Sequence, residues 1–134
     1  MGKAAVVYWT QTGNTEQMAQ AVAKGAGTFA TEWSDFSADD VTSYDALAFG
    51  CPAMGTEELD PDFEALWNKC LPSLGSRPVA LFGSYDWGSG GWMETWKDAA
   101  ADAGVNLVGT VIANLESDAD VLAELEALGG KLAE

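Results

Sequence analysis

The chain has no histidine, which removes the usual proton shuttle near neutral pH and the commonest metal ligand. Ser-His-Asp and Cys-His catalysis are excluded with it. Basic residues are scarce: six Lys and Arg stand against 21 Asp and Glu, a formal net charge of −15. So acidic a chain lacks the basic footprint that nucleic acid requires, and anionic membrane surfaces repel it. The two cysteines, Cys51 and Cys70, form no Cys-x-x-Cys pair and read as reduced, mostly buried thiols. Long apolar runs are missing too. The amino-terminal run follows a single lysine and breaks at Gln11-Thr12-Gly13-Asn14, too short for a signal peptide or a membrane span. Gly2 hints at a myristoylation signal, but Val6 sits where Ser or Thr is needed. These absences predict a cytoplasmic protein that engages neither nucleic acid nor membrane.

What is present suits a single domain spanning residues 1–134, with 48% hydrophobic residues to build its core. Apolar strand-like runs alternate with longer helical patterns, which predicts an α/β fold with a parallel sheet. Strands are expected at 3–9, weakly at 28–33, and at 46–50, 77–83 and 105–113. Helices are expected from Thr15 to Gly25 or Gly27, then over 60–70, 92–103 and 118–132. Pro61 fits the first turn of the second helix, with Asp60 as its cap. Residues 34–43 read as a loop or a short helical turn. Ligands in open α/β sheets bind at the carboxyl ends of strands, near the switch in strand order. The segments after the first, third and fourth expected strands are therefore the candidate site.

Residues 10–15, Thr-Gln-Thr-Gly-Asn-Thr, end in neither the Gly-Lys-Ser/Thr of a Walker loop nor a Gly-x-Gly-x-x-Gly. They offer three hydroxyls, an amide and a row of backbone N–H groups at a helix start, where an anion can be held without a cation. Helix capping by Thr12 or Asn14 explains one such residue, not four in six. The second segment, Cys51-Pro52-Ala53-Met54-Gly55-Thr56-Glu57-Glu58, read alone is an ordinary strand-to-helix loop, with Met54 as an apolar contact and Gly55 as a freely rotating peptide. The third, Gly83-Ser84-Tyr85-Asp86-Trp87-Gly88-Ser89-Gly90-Gly91, sets two aromatics in a glycine-rich loop. Burial beneath the loop and stacking on a flat ring explain them equally well. Trp92 and Trp96, one helical turn apart, read as core. Together the three segments fit a flat heteroaromatic ring carrying a phosphate.

Over essentially its whole length the chain resembles flavodoxins, the short-chain kind in particular. The resemblance rests on Tyr8-Trp9-Thr10-Gln11-Thr12-Gly13-Asn14-Thr15, on residues 50–59, and on Leu81-Phe82-Gly83-Ser84-Tyr85 with Trp87-Gly88-Ser89-Gly90. It implies a flavodoxin-like three-layer α/β/α sandwich with strand order 2-1-3-4-5 and a non-covalently bound FMN. By position, Thr10, Thr12, Asn14 and Thr15 would hold the phosphate with the N–H groups of Gln11 and Gly13. Met54 and Trp87 would flank the flavin ring. Glu57 would accept from flavin N3–H, and the Gly55 carbonyl would turn toward N5. Pro52, Ala53, Thr56, Ser84, Tyr85, Asp86 and Gly88 complete the implied cofactor site.

The implied function is a low-potential one-electron carrier, not an enzyme, cycling between semiquinone and hydroquinone. Its implied partners are basic-faced reductases and ferredoxin-dependent oxidoreductases, met transiently by a monomer. A carboxylate ~10 Å from the reduced flavin opposes its charge by ~0.4–1.7 kcal/mol, for effective dielectrics of ~80 down to ~20. Since ~59 mV corresponds to ~1.4 kcal/mol for one electron, several carboxylates lower the second potential by ~100 mV or more before salt screening. Asp86, where short-chain members usually carry glycine, is expected to lower it further. Thr56 is β-branched and resists positive φ, so it is expected to disfavour the flipped peptide and the semiquinone with it. A receiver-type signalling domain is rejected, because Thr10-Gln11 and Asn114-Leu115 stand where its acids and lysine belong. The alternative is a flavin-dependent quinone or FMN reductase of similar fold. A dedicated reductant of one enzyme would separate from a general carrier only by its partner.

Overall fold

The computed structural model describes residues 3–11, 13–54, 58–85, 90–115 and 117–133. Five parallel strands form one sheet: β1 (Ala4–Tyr8), β2 (Ala30–Glu32), β3 (Ala46–Gly50), β4 (Pro78–Tyr85) and β5 (Asn106–Asn114). Their spatial order is β2-β1-β3-β4-β5. Four α-helices alternate with them: α1 (Asn14–Ala26), α2 (Pro61–Leu74), α3 (Gly91–Asp102) and α4 (Ala119–Leu132). The α/β class and the implied strand order both hold. Residues 34–43, expected as a loop or a short turn of helix, hold two short 3-10 helices at 33–35 and 38–43; the first takes in Trp33, expected to end the second strand.

The central strands are buried on both faces, and their two faces differ in size. Leu47 and Phe49 of β3, with Val79 and Leu81 of β4, face a core shared with Phe63, Trp67, Trp92 and Trp96 of α2 and α3. Ala46, Ala48 and Ala80 face the other way, into the core of α1 and α4, with Met18, Val22 and Leu125. In β3, bulk on one face is thus matched by alanines on the other, while β4 sends Phe82 to the α1 and α4 side.

On that side α1 and α4 approach each other closely through helix glycines. A Cβ at Gly25 would overlap the carbonyl of Glu126, and one at Gly129 would overlap the carbonyl of Val22. Two sequence expectations shift in the structure. Helix α2 runs through Pro72 to Leu74 instead of ending at Cys70, because Leu74 is buried in the core and holds the last turn in place. Strand β4 runs to Tyr85 because its ladder with β5 continues to the pair Tyr85 and Asn114. At the exposed edge, the register of β5 shifts beside Val79 and Ala80. The Lys131 ammonium there donates to the Val108 carbonyl at 3.1 Å, blunting the strand edge as edge lysines do.

Two helix glycines therefore behave oppositely to a third. Gly25→Ala and Gly129→Ala gain ~1 kcal/mol of helix propensity but force the helices apart at ~1–3 kcal/mol or more. Both should lower urea-unfolding stability. Gly130, where a Cβ would have only an ordinary 3.7 Å contact with the Gly25 carbonyl, should accept alanine with stability unchanged or raised by up to ~1 kcal/mol.

Candidate functional site

At the carboxyl edge of the sheet the strand ladders continue into the loops. The N–H of Trp9 donates to the Gly50 carbonyl at 2.9 Å, that of Cys51 to Phe82 at 3.1 Å, and that of Ala53 to Ser84 at 3.0 Å. The N–H of Leu115 donates to the Tyr85 carbonyl at 2.7 Å. Four loops are thereby stitched into one rim. The indole N–H of buried Trp92 adds a bond to the Cys51 carbonyl at 3.2 Å.

The first loop turns into α1 at Gly13, whose φ of 93° lies in the left-handed region that glycine tolerates. Gly13, not Asn14, is the capping residue, and no side-chain cap is formed there. Its own N–H donates to Thr10 Oγ1 at 3.0 Å, and the first helical bond runs from Gln17 N–H to the Gly13 carbonyl at 3.0 Å. By contrast, Asp60 caps α2 through the N–H groups of Asp62 and Phe63, and Asp118 caps α4 through that of Val121. Among the described residues no side chain accepts from the first helical N–H groups of α1, which carry the positive end of its dipole.

Those donors border a cavity of about 130 Å³ lined by Thr10, Gln11, Asn14, Thr15, Pro52, Ala53, Ser84, Tyr85 and Leu115. The structure brings together there eight of the residues that the sequence nominated. Thr15 and Ser84 join the first and third loops through a 2.8 Å hydroxyl–hydroxyl bond, both side chains being buried. Tyr85 is the last residue of β4 and is half-buried, its ring 5.5 Å from that of Trp92. Met54 is half-buried one residue beyond the cavity wall. It pairs antiparallel with Glu58, N–H to carbonyl in both directions at 2.7 and 2.8 Å, so the ends of the 55–57 segment are clipped together. Thr12, Gly55, Thr56, Glu57, Asp86, Trp87 and Gly88 lie outside the described residues.

Among the described residues, no charged side chain lines this cavity. Four of the six cations lie at the opposite edge of the sheet. Lys3 and Arg77 immediately precede β1 and β4, while Lys24 and Lys131 lie in the last turns of α1 and α4. Near the site the field is negative. Tyr8, at the end of β1, donates to Glu16 Oε2 at 3.2 Å. Burial, then Glu16, with Glu32 and Asp35 adding, pushes its phenol up to about 12. The chemistry of the donor set fits a phosphate: amides at a glycine-capped helix start, hydroxyls and an asparagine, with no cation. Leu115 is the lining residue that the sequence reading missed. A leucine after a strand carries no motif; only its place beside β4 brings it here.

Among known proteins, the flavodoxin family model matches residues 6–130. A flavodoxin of Megasphaera elsdenii is 45% identical over 115 residues, covering 81% of this chain and 84% of its own length. A flavodoxin of Clostridium beijerinckii is 38% identical over 111 residues, covering 78% and 80%. The solution structure of two-electron reduced Megasphaera elsdenii flavodoxin superposes with a TM-score of 0.87 at 40% identity, over 96% of this chain and 98% of that one.

The loop bonds and buried thiols carry measurable consequences. Thr15→Val should destabilise the cofactor-free protein by ~1–3 kcal/mol by orphaning the buried Ser84 hydroxyl. Adding Ser84→Ala should cost less than the sum of the two single changes, as read by chemical unfolding. Burial pushes the free thiol of Cys51 up to about 12 and that of Cys70 up to about 11, from an ordinary 9.0. The unfolded chain therefore loses these protons first. The stability they contribute is complete below pH 9 and falls as pH rises toward 11 and 12. Native protein should resist thiol reagents near neutral pH, and its melting temperature should drop through the alkaline range.

Proposed function

We propose a specific way of working for a chain that belongs to the flavodoxin family, and so is an FMN-binding electron-transfer protein and not an enzyme: it is a low-potential one-electron carrier whose phosphate grip is neutral by design. Bound FMN supplies the reversible one-electron chemistry. The chain's residues hold it and set its electrostatic surroundings. The observation that carries the reading is the cavity at the glycine-capped start of α1, whose lining among the described residues has hydroxyls and amides but no charged side chain.

In this reading Thr10, Thr12, Asn14 and Thr15 hold the phosphate together with backbone N–H groups. Thr15, fixed by Ser84, is oriented before the cofactor arrives. The ring-facing roles fall to Met54, Gly55, Thr56 and Glu57 and to Tyr85, Asp86, Trp87 and Gly88. Support for the first group is the Met54–Glu58 clip that joins its ends. Support for the second is the doubly bonded carbonyl of Tyr85, which accepts from the Leu115 N–H at 2.7 Å and the Asn114 side-chain amide at 3.2 Å.

Leaving the phosphate charge uncompensated, in a chain of net charge −15, opposes each further negative charge on the cofactor and keeps it strongly reducing. The partners that fit are basic-faced reductases and ferredoxin-dependent oxidoreductases. With cations at the far edge of the sheet, the molecule carries a charge asymmetry that turns its site toward such a face. The span 1–134 works as one domain and as a monomer. No helix among the described residues is long and apolar enough to cross a membrane, and we place the protein in the cytoplasm.

Stepwise reduction of purified protein, followed by absorbance, tests the reading. A yellow protein passing through a blue one-electron form supports it. A colourless protein that takes up no added FMN sinks it, and NAD(P)H oxidation by the isolated protein would favour a reductase instead. Asp86→Gly should raise the second one-electron potential by ~20–70 mV at low salt, from the Coulomb energy of one carboxylate ~10 Å away. A potentiometric titration showing no rise would remove Asp86 from the account.

A further inference from the structure

Leu115 is the one non-glycine residue with a positive φ among the described residues, at 58°. A residue with a Cβ is disfavoured in that conformation by roughly five- to thirtyfold. Nor is the conformation repaid by burial, since the side chain is 48% exposed, one of three large apolar side chains left open to water among the described residues. Two bonds hold the backbone there. The Leu115 N–H and the Asn114 side-chain amide both donate to the Tyr85 carbonyl, at 2.7 and 3.2 Å. The result of that constraint is an exposed apolar group at the wall of a cavity that it shares with Pro52, Ala53 and Tyr85 and with the polar Thr10, Asn14 and Thr15. Strained backbone and wet apolar surface together, at a cavity, mark a side chain held for a ligand.

Resting on the flavin reading above, we propose that Leu115 is a positioning residue for FMN: its side chain covers the part of the cofactor held in this cavity and keeps water from it. The physical need follows from the neutral grip. Amides and hydroxyls attract a phosphate strongly only where water does not compete, because the attraction grows as the local dielectric falls. A lysine or arginine would hold a phosphate in open water, whereas a grip with no cation needs an apolar cover. The fold supplies it from the strand end beside β4, at a backbone conformation glycine would adopt more readily.

The test uses the cofactor-free full chain titrated with FMN by fluorescence quenching, with unfolding of the same cofactor-free samples alongside. Leu115→Gly and Leu115→Asn, both tolerant of the left-handed conformation, should leave cofactor-free stability unchanged or raised. Each should weaken FMN binding by roughly four- to twelvefold, the loss expected when about half a leucine side chain is no longer covered, and should do so through faster release. Leu115→Met, which restores an apolar cover, should bind within about twofold of the parent. Unchanged FMN affinity in the glycine and asparagine variants overturns the proposal. So does a loss of affinity matched by a loss of cofactor-free stability, which would make Leu115 merely structural. Parent protein that binds no FMN would instead overturn the flavin reading, and this inference with it.

Discussion

Parallel strand pairing that runs on past the strand ends is the constraint from which the site follows. Each strand's carbonyls and N–H groups must find partners, and at the carboxyl edge they find them in the loops. Trp9 bonds to Gly50, Cys51 to Phe82, Ala53 to Ser84 and Leu115 to Tyr85. These four bonds set the loops in register with the sheet before any cofactor is present. The order β2-β1-β3-β4-β5 places β1 and β3 side by side at the point where the chain reverses direction across the sheet. The crevice outside their ends is the one such sheets offer to a ligand.

Charge is arranged with the same economy. Four of the six cations sit at the amino edge of the sheet or in the last turns of α1 and α4, where they also meet the negative ends of helix dipoles. The site edge receives acids and a glycine-capped helix start instead. An electron-transfer protein of this family gains from that separation twice. In the reading proposed above, the phosphate would be bound without being neutralised, and the molecule would present a distinct negative end to a partner.

Much of the fold was legible because it rests on periodicity. Phe63, Leu66, Trp67 and Cys70 recur at helical spacing, and all four are buried on α2. Asp60 was readable as a cap because an aspartate ahead of Pro61 has few other reasons to stand there, and it accepts from two helix N–H groups. Capping by Thr12 or Asn14 was weighed against anion binding at the start of α1; it is Gly13 that takes the left-handed turn and caps the helix. The last turn of α2 was missed because Pro72 argues locally for a stop, while burial of Leu74 decides the matter at a distance. Trp92 was assigned to the core, where it lies, but its bond to the Cys51 carbonyl joins α3 to the second loop across 41 residues of chain.

By itself the sequence determined the class of fold, the three segments that line the cavity, the lack of histidine in the chain and the lack of lysine and arginine in those segments. Those follow from residue identity and short-range spacing, which need no knowledge of what lies across the sheet. Tertiary structure alone decided that Thr15 meets Ser84, that Tyr85 closes a strand, that the cations stand away from the cavity, and that Leu115 lines it. Each of these joins segments distant in sequence, and the strand order that brings them together is a property of hydrogen-bonded neighbours, not of any one stretch of chain.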